Sequence, residues 1–530
     1  MTTTTAKRTG GLRFKPNRGL PRLVPVAAAI AALLVAAPSR ADWRFTPGLS
    51  VTETWSDNPE LLSDELARTQ LVSEVAPSFN FVMNSRRVKA SASGLWRQYA
   101  YTESTSVRPR EHHDRQYGAS LQGILAEDLL FVDASANGQR RTLSAFGPQV
   151  TNNPYSWANG TDVQTWSISP YLKHDFGRSA TAQLRYTRDS VTSDQRTIFG
   201  NSTADTVLLN LSSPQEPRLL SWGLSVMHQK QDNEIAGESS IENATANLRY
   251  RLNSELALTA TAGYDRYDFN ALGGQTGGRS WTTGFAWTPS QRTSIEASIG
   301  RHFYGTTGSL MANVRSRRTV WSISYGDTIT TTRSQVTLPS AIDTAALLDR
   351  LFSSTIPDPL QRQLAIAAYM QATGLPPSLA DSVNYLSNRY MRQKLLQATA
   401  ALRGARANTI FSLYGSDRTA LSSDEADSGL LGSQLRSLND NVRQRGASAT
   451  WSYSLNARSS VVANASFSHN RSITTGIEDR QRHLSLAANR KLGQNLVASL
   501  ELRRRSGNVN RNDQRDYKEH AIAATISMKL

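Results

Sequence analysis

The sequence predicts an all-β protein: a transmembrane antiparallel β-barrel of about 22 strands with a short helical insertion in one extracellular loop. Three observations lead there. The chain ends on a segment that alternates with period two up to its carboxyl terminus. An alternating hairpin recurs along the chain after residue 41. An export leader precedes a mature chain whose mean hydropathy, -0.43 for the whole sequence, is too polar for helical membrane spans.

The terminal segment runs from Tyr517 to Leu530. Ile522, Ala524, Ile526, Met528 and Leu530 share one face; Ala521, Ala523, Thr525, Ser527 and Lys529 share the other. Period-two alternation is the strand signature. An apolar face toward lipid backed by a polar face toward water is what a membrane barrel needs. The first face is expected to serve as the carboxyl-terminal assembly signal read by the barrel-assembly machinery. Many barrels end on an aromatic residue, whereas this one ends on Leu530. An edge strand of a soluble sheet would show the same alternation, so the segment is weighed with the rest of the chain.

Residues 1–41 read as a signal peptide. Lys7, Arg8, Arg13, Lys15, Arg18 and Arg22 form a basic leader, Leu23 to Ala37 is apolar, and Ser39-Arg40-Ala41 matches a small-x-small cleavage pattern. The apolar run contains Pro25 and falls short of the ~20 residues that a spanning helix needs. The mature chain is expected to start near Asp42 and to be barrel from 42 to 530. It contains no cysteine, which excludes a lipoprotein anchor, a disulfide framework and a thiolate metal site.

The hairpin unit is clearest around Asn253-Ser254. Ala246, Leu248, Tyr250 and Leu252 precede the turn, and Leu256, Leu258, Ala260, Ala262 and Tyr264 follow it on the same face. It recurs around Asn456-Ala457, with Trp451, Tyr453 and Leu455 before the turn and Val461, Ala463, Ala465 and Phe467 after it. Weaker copies turn near Asn84-Ser85, Glu127-Asp128, Phe176-Gly177, Pro214-Gln215, Pro289-Ser290, Gly404-Ala405 and Leu492-Gly493, and another is expected at Gly326-Asp327. Trp43 to Trp55 gives the first strand. The count is about twenty-two, in a range of about twenty to twenty-four. An even count puts both termini and the short turns in the periplasm. The longer loops, such as Gly273 to Gly278 and Ser422 to Asp440, are then extracellular. The chain has ten Trp, seventeen Tyr and fourteen Phe, enough to supply interfacial girdles. A soluble propeller or solenoid would bury more of both sheet faces; here one face stays polar.

The period changes between Pro339 and Asn388. Asp358-Pro359 reads as an N-cap with proline at the first helical position. Leu360, Leu364, Ala367, Ala368 and Gln371 follow at helical spacing, and Gly374 with Pro376-Pro377 reads as the stop. Ile342 to Phe352 and Ser378 to Leu386 are candidate flanking helices. This insertion, 339–388, falls between about the fifteenth and sixteenth strands. It either folds into the lumen, caps the mouth, or is a surface loop with no transport role.

The mature chain resembles the outer-membrane barrels encoded with exosortase (PEP-CTERM) and exopolysaccharide loci. The resemblance rests on Trp43 to Asn58 (WRFTPGLSVTETWSDN), Trp321 to Ser334 (WSISYGDTITTTRS) and the helical insertion. Asn388 to Leu402 (NRYMRQKLLQATAAL) and the serial hairpins complete it. It implies the outer membrane of a Gram-negative bacterium and a part in exopolysaccharide export or exosortase-linked surface display, beside a periplasmic export complex. It supplies no catalytic residues.

Charge is the remaining clue. The leader holds seven basic residues and no acid, which leaves the mature chain with about +9 of the formal +16. Lys173, Arg185, Arg249, Arg251 and Arg503 are expected to face the lumen, with Glu296 and Glu501 as minority acids. Charge along a passage concentrates solutes of opposite sign. The expectation is an anion-biased pore, with an acidic polysaccharide as candidate solute. Alternatively, basic residues such as Arg315, Arg317 and Arg318 contact lipopolysaccharide phosphates. Nucleic acid is not an expected partner of an exported chain.

An enzyme is the second class considered. Glu111, His112, His113 and Asp114 form the densest titratable cluster and are expected to be solvated at a loop-to-strand junction. No serine elbow, HExxH or P-loop pattern stands out. No catalytic residue, metal or cofactor is assigned. A third class is a non-conducting surface mount or adhesin. A first strand so close to the expected mature start leaves no room for an N-terminal plug, which disfavours an energised receptor, an assembly chaperone barrel and a two-partner exporter.

Overall fold

The structure, a computed structural model, describes residues 42–102, 112–149, 155, 159–194, 199–214, 219–269, 276–337, 348–349, 352, 362, 366, 370, 385–427, 436–508 and 516–530. The expected signal peptide lies outside the described residues, as do Glu111 and most of the predicted insertion helices.

Twenty-two strands follow in chain order: β1 (Asp42–Ser56), β2 (Gln70–Asn84), β3 (Val88–Tyr101), β4 (His113–Ala126), β5 (Leu130–Thr142), β6 (Gly160–Asp175), β7 (Thr181–Ser193), β8 (Ser202–Ser212), β9 (Leu220–Asn233), β10 (Gly237–Arg251) and β11 (Leu256–Asp268). The second half is β12 (Gly277–Ser290), β13 (Thr293–His302), β14 (Gly305–Arg315), β15 (Thr319–Thr330), β16 (Met391–Arg403), β17 (Ala407–Ala420), β18 (Asn441–Ser454), β19 (Ser459–Ser472), β20 (Glu478–Lys491), β21 (Leu496–Asn508) and β22 (Asp516–Lys529). A short helix, α1 (Thr332–Thr337), follows β15. Each strand pairs antiparallel with its neighbours, and β1 closes the ring by pairing with both β2 and β22. Closure removes every edge, so no backbone donor or acceptor row is left facing lipid.

The alternation becomes two faces. On β22, Ile522 and Ile526 are 45% and 55% exposed, while Ala521 and Ala523 on the alternate face are 3% and 7% exposed. The apolar face of the terminal strand therefore points outward, as its pattern required. Trp43, Trp96, Trp281, Trp321 and Phe411 are among the exposed aromatic side chains of that outer surface. The expected tight turns have a local cause. The Asn253 carboxamide oxygen accepts from the Glu255 and Leu256 amides at 2.8 Å, and Asn456 does the same for Arg458 and Ser459 at 2.9 Å. An Asn side chain that closes its own turn supplies the bend without a long loop.

One expected hairpin is corrected. Gly326 and Asp327 are interior to β15, paired with Ser309 and Lys394. The turn lies instead at residues 316–318, where the Ser316 amide donates to the Thr319 carbonyl at 2.8 Å. The Gly-Asp turn preference yields to ladder pairing, and Asp327, on the same outward face as Trp321 and Ile323, meets Arg392 at 2.7 Å. This also moves Arg315, Arg317 and Arg318 to the short-turn end. Short turns of such barrels are periplasmic, and lipopolysaccharide occupies the opposite leaflet, so the lipopolysaccharide contact expected of these three arginines is not available to them. The long connections, 57–69, 331–390 and 421–440, gather at the other end. At that same end β9 and β10 are joined by residues 234–236, and β13 and β14 by Phe303-Tyr304 alone, followed by Gly305 at φ +117.

Candidate functional site: a lumen filled from its extracellular end

All five expected lumen cations stand on the inner face. Their flanking residues Leu172, Leu184, Leu248, Tyr250 and Leu502 are exposed on the outside. Most are matched by a carboxylate. Arg185 meets Asp133 at 2.9 Å and lies over the Tyr171 ring at 4.0 Å. Arg503 meets Glu519 at 3.3 Å and Glu501 at 3.8 Å. Arg249 approaches Glu296 at 3.9 Å and Lys173 approaches Asp175 at 3.7 Å. Arg251 has no carboxylate within ion-pair distance among the described residues. The inner wall is thus a ladder of ion pairs rather than a bare cationic stripe, and the bias it can impose on a passing anion is correspondingly smaller.

Nearer the extracellular end these pairs are buried. Arg97 bonds Asp114 at 2.6 Å and approaches Glu74 at 3.5 Å. Asp114 is 4% exposed, which corrects for this one residue the expectation that the Glu111-to-Asp114 cluster is solvated. Asp114 falls on the lumen side of β4, so it belongs to the wall, whereas His112 and His113 are exposed. Glu519 is fully buried between Arg503 and Arg505, each at 3.3 Å, and accepts from the Ser56 hydroxyl at 2.9 Å. Among the described residues no three His, Cys, Asp or Glu side chains converge to hold a metal ion.

What buries this wall is the connections themselves. The segment after β5 turns inward. Asn470 on β19 donates to the Ala145 carbonyl at 2.5 Å, and Gln481 on β20 donates to the Gly147 carbonyl. Tyr155 packs edge-on against Tyr99 with ring centroids 5.3 Å apart, and its hydroxyl donates to Thr54 at 3.4 Å. Phe146, Phe199, Tyr385, Leu386 and Leu438, from four different connections, form one apolar cluster against Val163, Val191 and Val442 of the wall. Buried polar contacts fix it. Arg389 bonds Asp440 at 2.5 Å and the Ser422 carbonyl at 2.6 and 2.9 Å. Arg418 lies over the Tyr385 ring at 4.5 Å. Arg333 of α1 reaches across to Asp189 of β7 and to the Ser202 hydroxyl at 2.9 Å. Asp427 accepts from the Ser387 hydroxyl at 2.8 Å and the Asn388 amide at 2.7 Å. Burial pushes its carboxyl above the ordinary carboxylate value, against those bonds and the nearby Arg389 charge.

The insertion goes deeper. Leu348, Phe352, Ile366 and Met370 are helical. Leu348 and Ile366 are 0% and 4% exposed and pack, with Phe352 and Met370, on Val320, Ala401 and Ile410. Val320 and Ile410 face inward, because Trp321 and Phe411 beside them face out. Val320 is the second residue of β15, just after the 316–318 turn, and pairs with Ala401, which pairs with Ile410. The insertion therefore leaves the long-loop end and reaches the lumen face near the periplasmic end. Arg362 bonds Asp349 at 2.5 Å and ties its two helical pieces together. Of the three fates the sequence left open for it, the structure takes the first. The buried stripe of the second piece runs through Ile366 and Met370. The predicted stripe of Leu360, Leu364, Ala367, Ala368 and Gln371 lies outside the described residues.

No protein-family model matches the chain, and no curated protein is significantly similar to it in sequence. Solved structures are similar in fold. The FrpB iron transporter from Neisseria meningitidis superposes with a TM-score of 0.50 at 11% identity, over 92% of this chain and 82% of that one. The siderophore receptor PirA from Pseudomonas aeruginosa gives a TM-score of 0.44 at 10% identity, over 92% and 80%. A mutant of the ferric enterobactin receptor from Pseudomonas aeruginosa gives 0.47 at 11%, over 92% and 80%. At such identity the likeness to the iron transporter is one of fold: a closed, 22-stranded outer-membrane barrel. The chain is an outer-membrane β-barrel protein.

Proposed function

We propose that the protein is a self-plugged outer-membrane conduit that takes part in exopolysaccharide export or exosortase-linked surface display. The observation that carries the conduit is the burial of Leu348 and Ile366 on the lumen face of β15–β17. A loop evolved only for outside contacts has no reason to bury an apolar stripe inside the barrel. The plug is built from the barrel's own connections, so displacing it opens a passage without unfolding the wall. The polymer cargo rests on the resemblance carried by Trp43 to Asn58, Trp321 to Ser334 and Asn388 to Leu402. The paired wall suits a hydrated, weakly held polymer, because few bare charges would trap it in transit.

The experiment is current blockade. A variant lacking residues 340–384 is reconstituted in planar bilayers, and polygalacturonate or neutral dextran is added to one side. The deletion is closable: Thr332 donates to the Ser387 carbonyl at 2.7 Å, so the two ends of the insertion already meet. Transient blockades by the acidic polymer at lower concentration than by dextran are expected. Equal blockade by both would remove the anion bias, and passage of neither would remove the polymer.

A second reading uses the same plug differently. A barrel closed from its extracellular end also serves as a non-conducting mount, with the 421–440 and 57–69 connections as its display surface. It predicts no current even after the deletion.

A further inference from the structure

On β18 to β21 the lipid-facing side turns basic toward its extracellular end. Arg445 stands two residues above Ala447 on β18, Arg482 two above Leu484 on β20, and Arg504 two above Leu502 on β21. All three are exposed, and so are Leu484 and Leu502 beneath them. They share a face with the hydrocarbon-contacting residues, so they sit where the apolar band gives way to head groups.

The three lie at one height. Ladder rows climb toward the extracellular rim as strand number rises: Thr46, near the start of β1, connects through successive registers to Gly237, the first residue of β10 at the opposite end. This is the tilt and stagger of a closed barrel. A level line must therefore step toward the periplasm from strand to strand. Arg445 is in the row of His469 and Arg480; Arg482 is one row lower, beside Phe467; Arg504 is one row lower again, beside Leu484. At ~4.8 Å per strand spacing the arc is about 15 Å wide.

The cations above them already have carboxylate partners. Arg443 bonds Asp417 at 2.8 Å, and Glu478 receives Arg480 at 3.2 Å, His469 at 3.4 Å and Arg471 at 3.5 Å. Glu478 is the one carboxylate on the outward face of β18–β21 among the described residues. Arg445, Arg482 and Arg504 have no carboxylate within ion-pair distance among them. Unpaired guanidinium groups at a hydrocarbon margin are costly unless an anion reaches them, and guanidinium pairs phosphate bidentately.

We propose that Arg445, Arg482 and Arg504 form a binding site for the phosphate groups of a phosphorylated glycolipid of the outer leaflet, of the lipid A type. Phosphate oxygens meet the three forks while the acyl chains lie along Leu484, Leu486 and Leu502. The site is on the outside of the barrel and is independent of what the lumen carries.

The test is native mass spectrometry of the full chain in detergent, titrated with bisphosphorylated lipid A, with dephosphorylated lipid A, and with inorganic phosphate. Heat-modifiable mobility on gels checks that each variant is folded. Arg445→Gln/Arg482→Gln/Arg504→Gln is expected to weaken lipid A binding at least about tenfold. The Arg315→Gln/Arg317→Gln/Arg318→Gln variant, at the opposite end, is expected to leave it unchanged. The dephosphorylated lipid is expected to bind the wild type no better than the bisphosphorylated lipid binds the triple variant. Should the triple variant fail to fold, Arg482→Gln alone is read and is expected to lose several-fold. Retained affinity in the variants, equal binding of the dephosphorylated lipid, or complete displacement by inorganic phosphate at the lipid's own concentration would each overturn the proposal.

Discussion

Glu519 carries the most demanding charge arrangement in the wall. Its side chain is fully buried, with two arginine side chains at 9% and 6% exposure each 3.3 Å away. Removing one partner of a buried set leaves the others uncompensated, which costs about 3–5 kcal/mol. Glu519→Ala is therefore expected to lower the urea midpoint of the barrel markedly. Glu501→Ala, at a 3.8 Å contact whose carboxylate is 34% exposed, is expected to change it by less than ~1 kcal/mol. A urea titration followed by tryptophan fluorescence checks both, and equal shifts would mean the wall pairs are not graded by burial. Asp427 makes a pH prediction. Its carboxyl is held above the ordinary value chiefly by burial, so the folded plug favours the protonated form. Its stabilising contribution is full below the unfolded value of about 3.9 and is lost as pH rises through the higher folded value. Proteolysis of the 421–440 connection is expected to quicken with rising pH across that window, and Asp427→Asn to flatten the response. A flat wild-type profile would contradict this. At this scale the sequence was half legible. Period two put Arg185, Arg249 and Arg503 on the inner face, because facing is local. It could not supply their partners: Glu519 meets Ser56 across the closing seam, 463 residues apart. Asp114 was misjudged for the same reason, since burial by a connection from elsewhere leaves no local trace.

Among the elements, the β15–β16 insertion does the most. Its helical spacing announced helices, and its length announced a special connection. Its destination depended on Val320, Ala401 and Ile410, inward residues of three strands that alternate like any other. Charging the plug face isolates this element. Ile366→Asp puts a carboxylate into a 4%-exposed apolar contact and is expected to cost about 2–5 kcal/mol of docking. The barrel itself should stay heat-modifiable and folded, because β15–β17 remain paired. A thiol placed at position 366 should turn from protected to reactive toward a membrane-impermeant reagent when Leu348→Asp is added. Continued protection would mean that the insertion is held by something other than this stripe. The Gly326-Asp327 segment teaches the opposite lesson. A strong turn dipeptide was overruled because the flanking alternation continues through it and Asp327 has Arg392 to meet.

For the whole molecule, closure decides most properties. Twenty-two strands give a wide ring, and a ring of polar inner faces would be an open hole unless something fills it. Here the connections fill it from above, with apolar cores at the extracellular mouth and near the periplasmic end and a paired wall between. The ring was readable in advance because each hairpin repeats one local rule. The filling was not, because it is long-range packing of segments that look like ordinary loops. The central claim is that the lumen is shut by the protein's own insertion. Single-channel conductance of the purified full chain, compared with the chain lacking residues 340–384, tests it most directly. The account predicts small or rare openings in the full chain and a large, stable conductance after the deletion. Equal conductance in the two, high or absent, would contradict it.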